Sequence, residues 1–124
     1  AFQKAIEFYP EEKQMGQAAL SKKIGDIYTA QGNEDKAKEF YVDANYVAGL
    51  ALLQEARNND AAEKFKSVIK LAPRHADAHY QLGLALVGTT SIKEGLKYLK
   101  AYVKIAPNEP NAAIAESLIK QLEN

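Results

Sequence analysis

The sequence predicts an all-α fold, and three observations lead to this prediction. A segment of eleven residues recurs after one 34-residue period, apolar residues recur at three- and four-residue spacing, and no alternating apolar and polar stretch is bounded on both sides by turn clusters. Internal periods of about 20 to 50 residues are typical of chains built from stacked supersecondary units. We therefore expect helices joined by short turns.

The repeat aligns residues 42–52 with residues 76–86. Seven of the eleven pairs are identical: Asp, Ala, Tyr, Gly, Leu, Ala and Leu. Four more residues recur at the same offset, since Lys66, Lys70, Ala72 and Pro73 match Lys100, Lys104, Ala106 and Pro107. One fixed offset over both stretches, the repeat period, indicates two units of equal length.

Helical periodicity is strongest over 60–71 and 92–105, where apolar residues recur every three or four positions. Asp60 and Ser91 each precede a carboxylate by three residues, which is the spacing of a capping box, so a helix is expected to begin at each. The repeated prolines follow these segments, and a helix should end just before each of them.

The 34-residue period resembles that of the tetratricopeptide repeat (TPR) family. The family's first-helix glycine is matched by Gly25, Gly49 and Gly83. Three later family positions are also matched. Twelve residues beyond the glycine, the small residues are Ala37, Ala61 and Gly95. Sixteen beyond, the large residues are Phe65 and Leu99, and 24 beyond, the prolines are Pro73 and Pro107. The family's tryptophan is absent, and Ser21, Asn45 and His79 stand in its place.

This resemblance implies an α-solenoid, a right-handed superhelix of stacked antiparallel helix pairs with a concave groove. A glycine inside a helix costs about 1 kcal/mol relative to alanine. Because three glycines recur at matching places, we expect each to mark a point where two helix backbones approach.

The repeat register predicts a single TPR-like domain over residues 1–124. Its parts are a half repeat (1–10), an irregular or truncated repeat (11–41), two repeats (42–75 and 76–109) and a capping helix (110–124). An extended first helix over Glu11–Ala30 would take up the extra residues that precede Gly25.

The irregular repeat is ten residues short. Gly49 and Gly83 are separated by one full repeat period, whereas Gly25 and Gly49 are ten positions closer together. The sequence between Lys36 and Gln54 has no proline or turn cluster. One interpretation is a single fused helix over roughly 35–57. Such a helix could not fold back, so it would break the superhelix and can promote domain swapping.

The other interpretation is that about ten residues are missing near Phe40-Tyr41. We prefer it because Val42-Asp43-Ala44 closely repeats Ala76-Asp77-Ala78, which is a predicted helix start. An intact mass of 13.6 kDa would exclude missing residues.

Composition excludes several functional classes. Sixteen basic and sixteen acidic residues give a net charge of zero, which argues against nucleic acid or anionic membrane as a bulk-charge partner. The absence of cysteine excludes disulfides, thiolate metal sites and cysteine nucleophiles. No apolar run reaches the roughly 20 residues that membrane insertion requires. No phosphate loop or nucleophile elbow is present, so neither an enzyme nor a cofactor is expected.

The resemblance implies a non-catalytic scaffold that binds a peptide or an amphipathic segment of a partner protein in the concave groove. The positions three before, one after and four after each glycine should face that groove. We assign to it Lys22, Asp26, Tyr46, Leu50, Leu53, Tyr80, Leu84 and Val87. The alternative is a structural self-assembly module, in which copies of the chain cover the same apolar strip.

One binding mode of the family can be tested directly, the clamp on the C-terminal carboxylate of heat-shock chaperones. Lys22 matches the clamp's first lysine. The other positions hold Asp26, Val47, Asp77 and Gln81 instead of amides or cations, so this clamp is not expected.

Two further features have structural explanations. His75 and His79 have a spacing that can bind metal, but no third ligand accompanies them. We therefore predict that His75 lies in a loop and that His79 fills the position of the family's tryptophan. A lysine stripe (Lys93, Lys97, Lys100 and Lys104) is expected to be a solvated outer face.

The compartment is not determined by the sequence. A cytoplasmic location is preferred. A periplasmic or secreted one is also compatible, because the chain begins in mid-repeat and a targeting segment can precede Ala1.

Overall fold

The computed structural model describes residues 11–123, which form six helices and no strand. They are α1 (Glu11–Ala30), α2 (Glu34–Gln54), α3 (Asn58–Leu71), α4 (Ala76–Val87), α5 (Ile92–Ile105) and α6 (Pro110–Glu123). The all-α prediction is confirmed, and the extended first helix has the expected bounds. The half repeat expected over residues 1–10 lies outside the described residues.

The helices stack in chain order. Connections of three or four residues separate them, and each helix packs against the next along the chain. Such short connections reverse the chain direction and make neighbours antiparallel. This arrangement is the solenoid of helix pairs that the 34-residue period predicts.

Two hydrophobic clusters hold the stack together. The first joins α2, α3 and α4 around Leu52, Phe65 and Leu82, and the second joins α4, α5 and α6 around Leu99 and Tyr102. The side chains of Phe65, Leu82, Leu99 and Tyr102 are almost completely buried. α4 contributes to both clusters, so it connects the two halves of the core.

The three repeated glycines lie where a first helix meets a large side chain of its second helix. A Cβ atom on Gly25 would be 2.7 Å from Tyr41, and one on Gly49 would be 2.6 Å from Phe65. A Cβ on Gly83 would be 2.7 Å from Leu99 and 3.1 Å from the carbonyl oxygen of Gly95. Among the three atoms nearest to each added Cβ, backbone of the second helix therefore occurs only at Gly83, and an aromatic ring fills the space at Gly25 and Gly49.

Within the short interval between Gly25 and Gly49, the chain turns once, at residues 31–33, and then continues as one uninterrupted helix. α2 is 21 residues long, slightly shorter than the predicted fused helix. It does not interrupt the stack: its first half stacks Phe40 on Tyr28 of α1, with ring centroids 5.6 Å apart, and its second half packs against α3. The missing-residue interpretation stays a prediction that an intact-mass measurement tests.

α1 and α2 end in the same way. Gly32 and Ala56 both have positive φ, 77° and 60°. After each of them an N–H bonds back to the helix, Asn33 to the Tyr28 carbonyl and Arg57 to the Leu52 carbonyl, both at 2.9 Å. These are Schellman ends, which satisfy carbonyls that the helix leaves unpaired.

The predicted helix starts at Asp60 and Ser91 have different outcomes. α3 begins two residues before Asp60, which pairs with the N-cap residue Arg57 at 2.8 Å. Since the Schellman end of α2 has already turned the chain, α3 starts as soon as the turn is complete. Ser91 is the N-cap of α5, but its side chain makes no capping hydrogen bond.

Candidate binding face

The candidate site is the face that α1, the second half of α2 and α4 present. These are the first helices of the repeats, and they carry all eight residues assigned to the groove. Two of the eight lie on α1, and three each lie on α2 and α4.

Lys22 and Asp26 are exposed on α1. The Asp26 carboxylate accepts a hydrogen bond of 2.6 Å from the Tyr41 hydroxyl, which also lies 3.1 Å from the Thr29 hydroxyl. The bond to Asp26 raises the pKa of Tyr41, because it stabilises the protonated phenol. Asp26 thus fastens α1 to α2 and keeps some of its surface open to solvent.

Lys22 borders a small cleft between α1, α2 and α3. The cleft has a volume of about 320 Å³, and alanines form much of its wall. It is lined by Met15, Ala18, Ala19, Lys22, Tyr41, Ala44, Asn45, Ala48 and Lys64. Lys22 is the only one of the eight assigned residues that borders it.

Tyr46 lies at the junction of three helices and is half-buried. Its ring centroid is 5.7 Å from that of Phe65 on α3 and 5.1 Å from that of His75 at the start of α4. Burial raises the pKa of Tyr46, the negative charge of Asp77 raises it further, and a hydrogen bond with Gln81 opposes both. Leu50 and Leu53 follow it along α2, half-buried against the first cluster.

Tyr80 occupies the same repeat position on α4 but is more enclosed. It is 8% exposed, and its ring centroid lies 4.9 Å from that of Tyr102. Burial raises the pKa of its hydroxyl. Leu84 and Val87 are half-buried against the second cluster.

The structure therefore groups the six apolar assigned residues in two sets of three. Tyr46, Leu50 and Leu53 lie against the first cluster, and the corresponding α4 residues lie against the second. Five of the six keep part of their surface open, and Tyr80 belongs mainly to the core.

The face continues onto α6, which the sequence reasoning did not include. Ile114 lies one repeat period after Tyr80 and is 50% exposed, and Leu118 lies one period after Leu84 and is half-buried. The repeat offset was sufficient to find both. The same kind of count finds Tyr41, which follows Gly25 by sixteen residues as Phe65 follows Gly49.

The two histidines have structural partners. The His75 Nδ1 atom accepts a hydrogen bond of 3.0 Å from the backbone N–H of Ala78 and caps α4. The His79 Nε2 atom lies 2.8 Å from the carbonyl oxygen of Pro73, and its ring packs beside Tyr98. Residues 11–123 contain no cluster of three or more side chains suited to hold a metal ion.

None of α1 to α6 combines the length and the apolar character that a bilayer span requires.

Comparison with known proteins identifies the repeat. A family model described as tetratricopeptide repeat matches residues 46–110, and a second model of the same description matches residues 23–45. No curated protein matches the chain by sequence.

Solved structures share the fold at low sequence identity. The TPR domain of OM64 from Arabidopsis is 17% identical with a TM-score of 0.60, and the match covers 87% of this chain and 98% of that one. The crystal structure of MamA is 19% identical with a TM-score of 0.56, covering 98% of this chain and 78% of that one. Since one repeat model alone spans more than half of the sequence, the chain belongs to the tetratricopeptide repeat family.

Proposed function

We propose that this protein is a non-catalytic protein–protein interaction scaffold, which holds a segment of a partner against the face formed by α1, α2, α4 and α6. The TPR fold supports an interaction role. The finer assignment, to this face and to an apolar partner segment, is our proposal.

The observation that carries the proposal is the repeated placement of partly open apolar side chains. Leu50, Leu84 and Leu118 follow one another at intervals of one repeat period, and all three are half-buried. Ile114 extends the neighbouring row, which begins at Tyr46, and half of its surface is exposed. Apolar surface repeated along one face at the repeat period favours contact with a partner.

The partner chemistry follows from these side chains. Leucine and isoleucine surfaces bury well against the apolar side of an amphipathic helix or against an extended apolar peptide. The Tyr46 ring adds a large contact area at low entropic cost. Lys22 at the α1 end offers the bound segment one cation.

A display selection with random twelve-residue peptides tests this assignment. Peptides enriched on the wild-type protein should carry several apolar residues. They should lose at least about tenfold in affinity for Leu50→Glu/Ile114→Glu, since a carboxylate in an apolar contact is strongly unfavourable.

Ile92→Glu is the matched control, because Ile92 is 40% exposed on α5, a second helix. Equal loss of binding in the control, or undiminished binding by the double variant, would reject the face. Far-UV circular dichroism establishes that each variant is folded.

Self-assembly is the second candidate function. Leu20 and Ile27 are 58% and 55% exposed and lie seven residues apart, so they share one side of α1. Sedimentation velocity over a concentration series separates the two functions. A strict monomer at high concentration rejects assembly. A dimer that dissociates when Leu20→Glu/Ile27→Glu is introduced supports it.

A further inference from the structure

The C-terminal end of the helix stack carries a second cleft, separate from the candidate binding face. It lies between α5 and α6 and has a volume of about 610 Å³. Its lining consists of Lys93, Leu96, Lys97, Lys100, Leu122 and Glu123. Four of these residues are on α5, the second helix of the last complete repeat.

The α5 side of the cleft is one face of the helix. Lys93, Leu96, Lys97 and Lys100 follow the i, i+3, i+4, i+7 pattern, which aligns side chains over two turns. Leu96 and Leu122 supply an apolar floor, and the lysines border it. Three cations face a single carboxylate, that of Glu123, so the cleft is basic.

The corresponding surface of the preceding repeat, on α3, packs against α4 and α5. Ala62, which lies one repeat period before Leu96, is buried in the first cluster. Lys66, which lies one period before Lys100, forms an ion pair of 3.4 Å with Glu94 of α5. Leu96 is itself only 9% exposed, so the two repeats differ in their charges. At the inner position, the lysine is matched by a carboxylate from the next second helix.

Beside α5, the described part of α6 supplies one such carboxylate, that of Glu123. Lys100 forms an ion pair with Glu123, and both side chains are about half exposed. Lys93 and Lys97 are exposed beside the apolar floor. The charge pattern matches a helix with apolar residues on one side and carboxylates along the borders of that side.

From this charge complementarity we propose that the α5–α6 cleft is a docking site for an acidic amphipathic helix of a partner protein. The bound helix lies along α5, its apolar side covers Leu96 and Leu122, and its carboxylates pair with Lys93, Lys97 and Lys100. One of these carboxylates replaces Glu123 at Lys100, as Glu94 does at Lys66. The site is independent of the face proposed above.

A synthetic fourteen-residue peptide is a direct probe of this site, because its length as a helix, about 21 Å, matches that of α5. It carries leucines at helical spacing with flanking glutamates. The comparison peptides have glutamine or lysine in place of every glutamate. We expect the acidic peptide to bind at least about tenfold more tightly than either comparison peptide at low salt, and to weaken as salt is added. Equal binding of all three peptides would overturn the proposal.

Two variants localise the binding. Lys93→Glu/Lys97→Glu should weaken the acidic peptide about tenfold or more, whereas Lys23→Glu/Lys38→Glu, the same charge change on exposed residues of α1 and α2, should not. An equal loss in both double variants would show attraction by overall charge, and would overturn the site.

Glu123→Gln should act in the opposite direction. Removing the carboxylate that competes for Lys100 should tighten acidic peptide binding about threefold, the size expected of an exposed ion pair. Unchanged or weaker binding would contradict the role given to Lys100. If sedimentation shows self-association of the wild type that Lys93→Glu/Lys97→Glu removes, the occupant is a second copy of the chain, and the acidic-partner assignment is wrong.

Discussion

The two aligned repeats begin with almost the same sequence but in different structural settings. Ala76 is the first residue of α4, and the preceding His75 caps that helix. Val42 is aligned with Ala76 and lies in the middle of α2. Asp43, the partner of Asp77 in the alignment, accepts a 2.6 Å hydrogen bond from the Ser21 hydroxyl of α1. The residues before the repeat therefore decide whether a helix starts there.

The two repeats also differ in how their helices meet. In the first, a Cβ on Gly49 would contact only the Phe65 ring among its three nearest neighbours. In the second, glycine occupies both crossing positions, and a Cβ on Gly95 would lie 2.9 Å from the Gly83 carbonyl oxygen. The second repeat has Leu99 where the first has Phe65, and Gly95 where the first has Ala61. These smaller residues accompany direct contact between the two helix backbones. Helix separation can vary along one solenoid while the register is kept.

Proline at the aligned positions should separate the two settings most strongly. Val42→Pro should lower the free energy of unfolding by about 3 kcal/mol or more, because it removes a hydrogen bond inside α2 and its ring clashes with the preceding turn. Ala76→Pro should cost little, since proline suits the first position of a helix, as Pro110 shows in α6. Urea unfolding followed by circular dichroism measures both.

A tolerated Val42→Pro would contradict the continuous α2. It would indicate that a helix can start at residue 42, as the missing-residue interpretation requires. If Ala76→Pro lowers the free energy of unfolding as much as Val42→Pro does, the place of the residue within its helix does not determine the cost of proline.

Alanine at Gly95 should have the next largest effect. The new Cβ would lie 2.7 Å from Val87 Cγ2 and 3.0 Å from the Val87 nitrogen, so backbone must move. We expect a loss of about 2 kcal/mol, which exceeds the roughly 1 kcal/mol that alanine gains in helix propensity.

Gly16→Ala is the control for helix propensity, because nothing lies within 4 Å of its added Cβ. It should stabilise the protein by up to about 1 kcal/mol. If Gly95→Ala is also stabilising, the two backbones are less tightly packed than in this structure.

Alkaline pH should produce the smallest effect, and it compares Tyr46 with Tyr80. Burial raises the pKa of both hydroxyls in the folded state. Their stabilisation is therefore complete below the unfolded pKa of about 10 and is lost as the pH rises further. Tyr46→Phe and Tyr80→Phe should each reduce the loss of stability between neutral and alkaline pH, measured by urea unfolding at each pH. An unchanged pH dependence in both variants would contradict this origin.

Sequence reasoning predicted the fold well because period and spacing are properties of the chain itself. The glycines, the repeated prolines and the fixed repeat offset were enough to predict a helix stack. The exact start of α3 was not, because it depends on the turn that Ala56 makes with positive φ, which is unusual for alanine.

The candidate face was harder to predict for a physical reason. Repeat position places Tyr46 and Tyr80 on the same side of their helices, but what packs on that side differs. Tyr80 meets Tyr102, whereas Tyr46 meets the smaller His75 ring as well as Phe65. The exposure of a side chain depends on its neighbours in three dimensions, and a one-dimensional register does not contain them.

The continuous α2 also has a consequence for unfolding. In most solenoids neighbouring repeats are coupled only through side-chain interfaces, so one repeat can open while the next stays folded. Here α2 packs against α1 with its first half and against α3 with its second half. One continuous ladder of backbone hydrogen bonds joins the two halves. Residues 11–71 should therefore open as a single cooperative unit, so their slowest-exchanging amide hydrogens should share one opening free energy in hydrogen exchange.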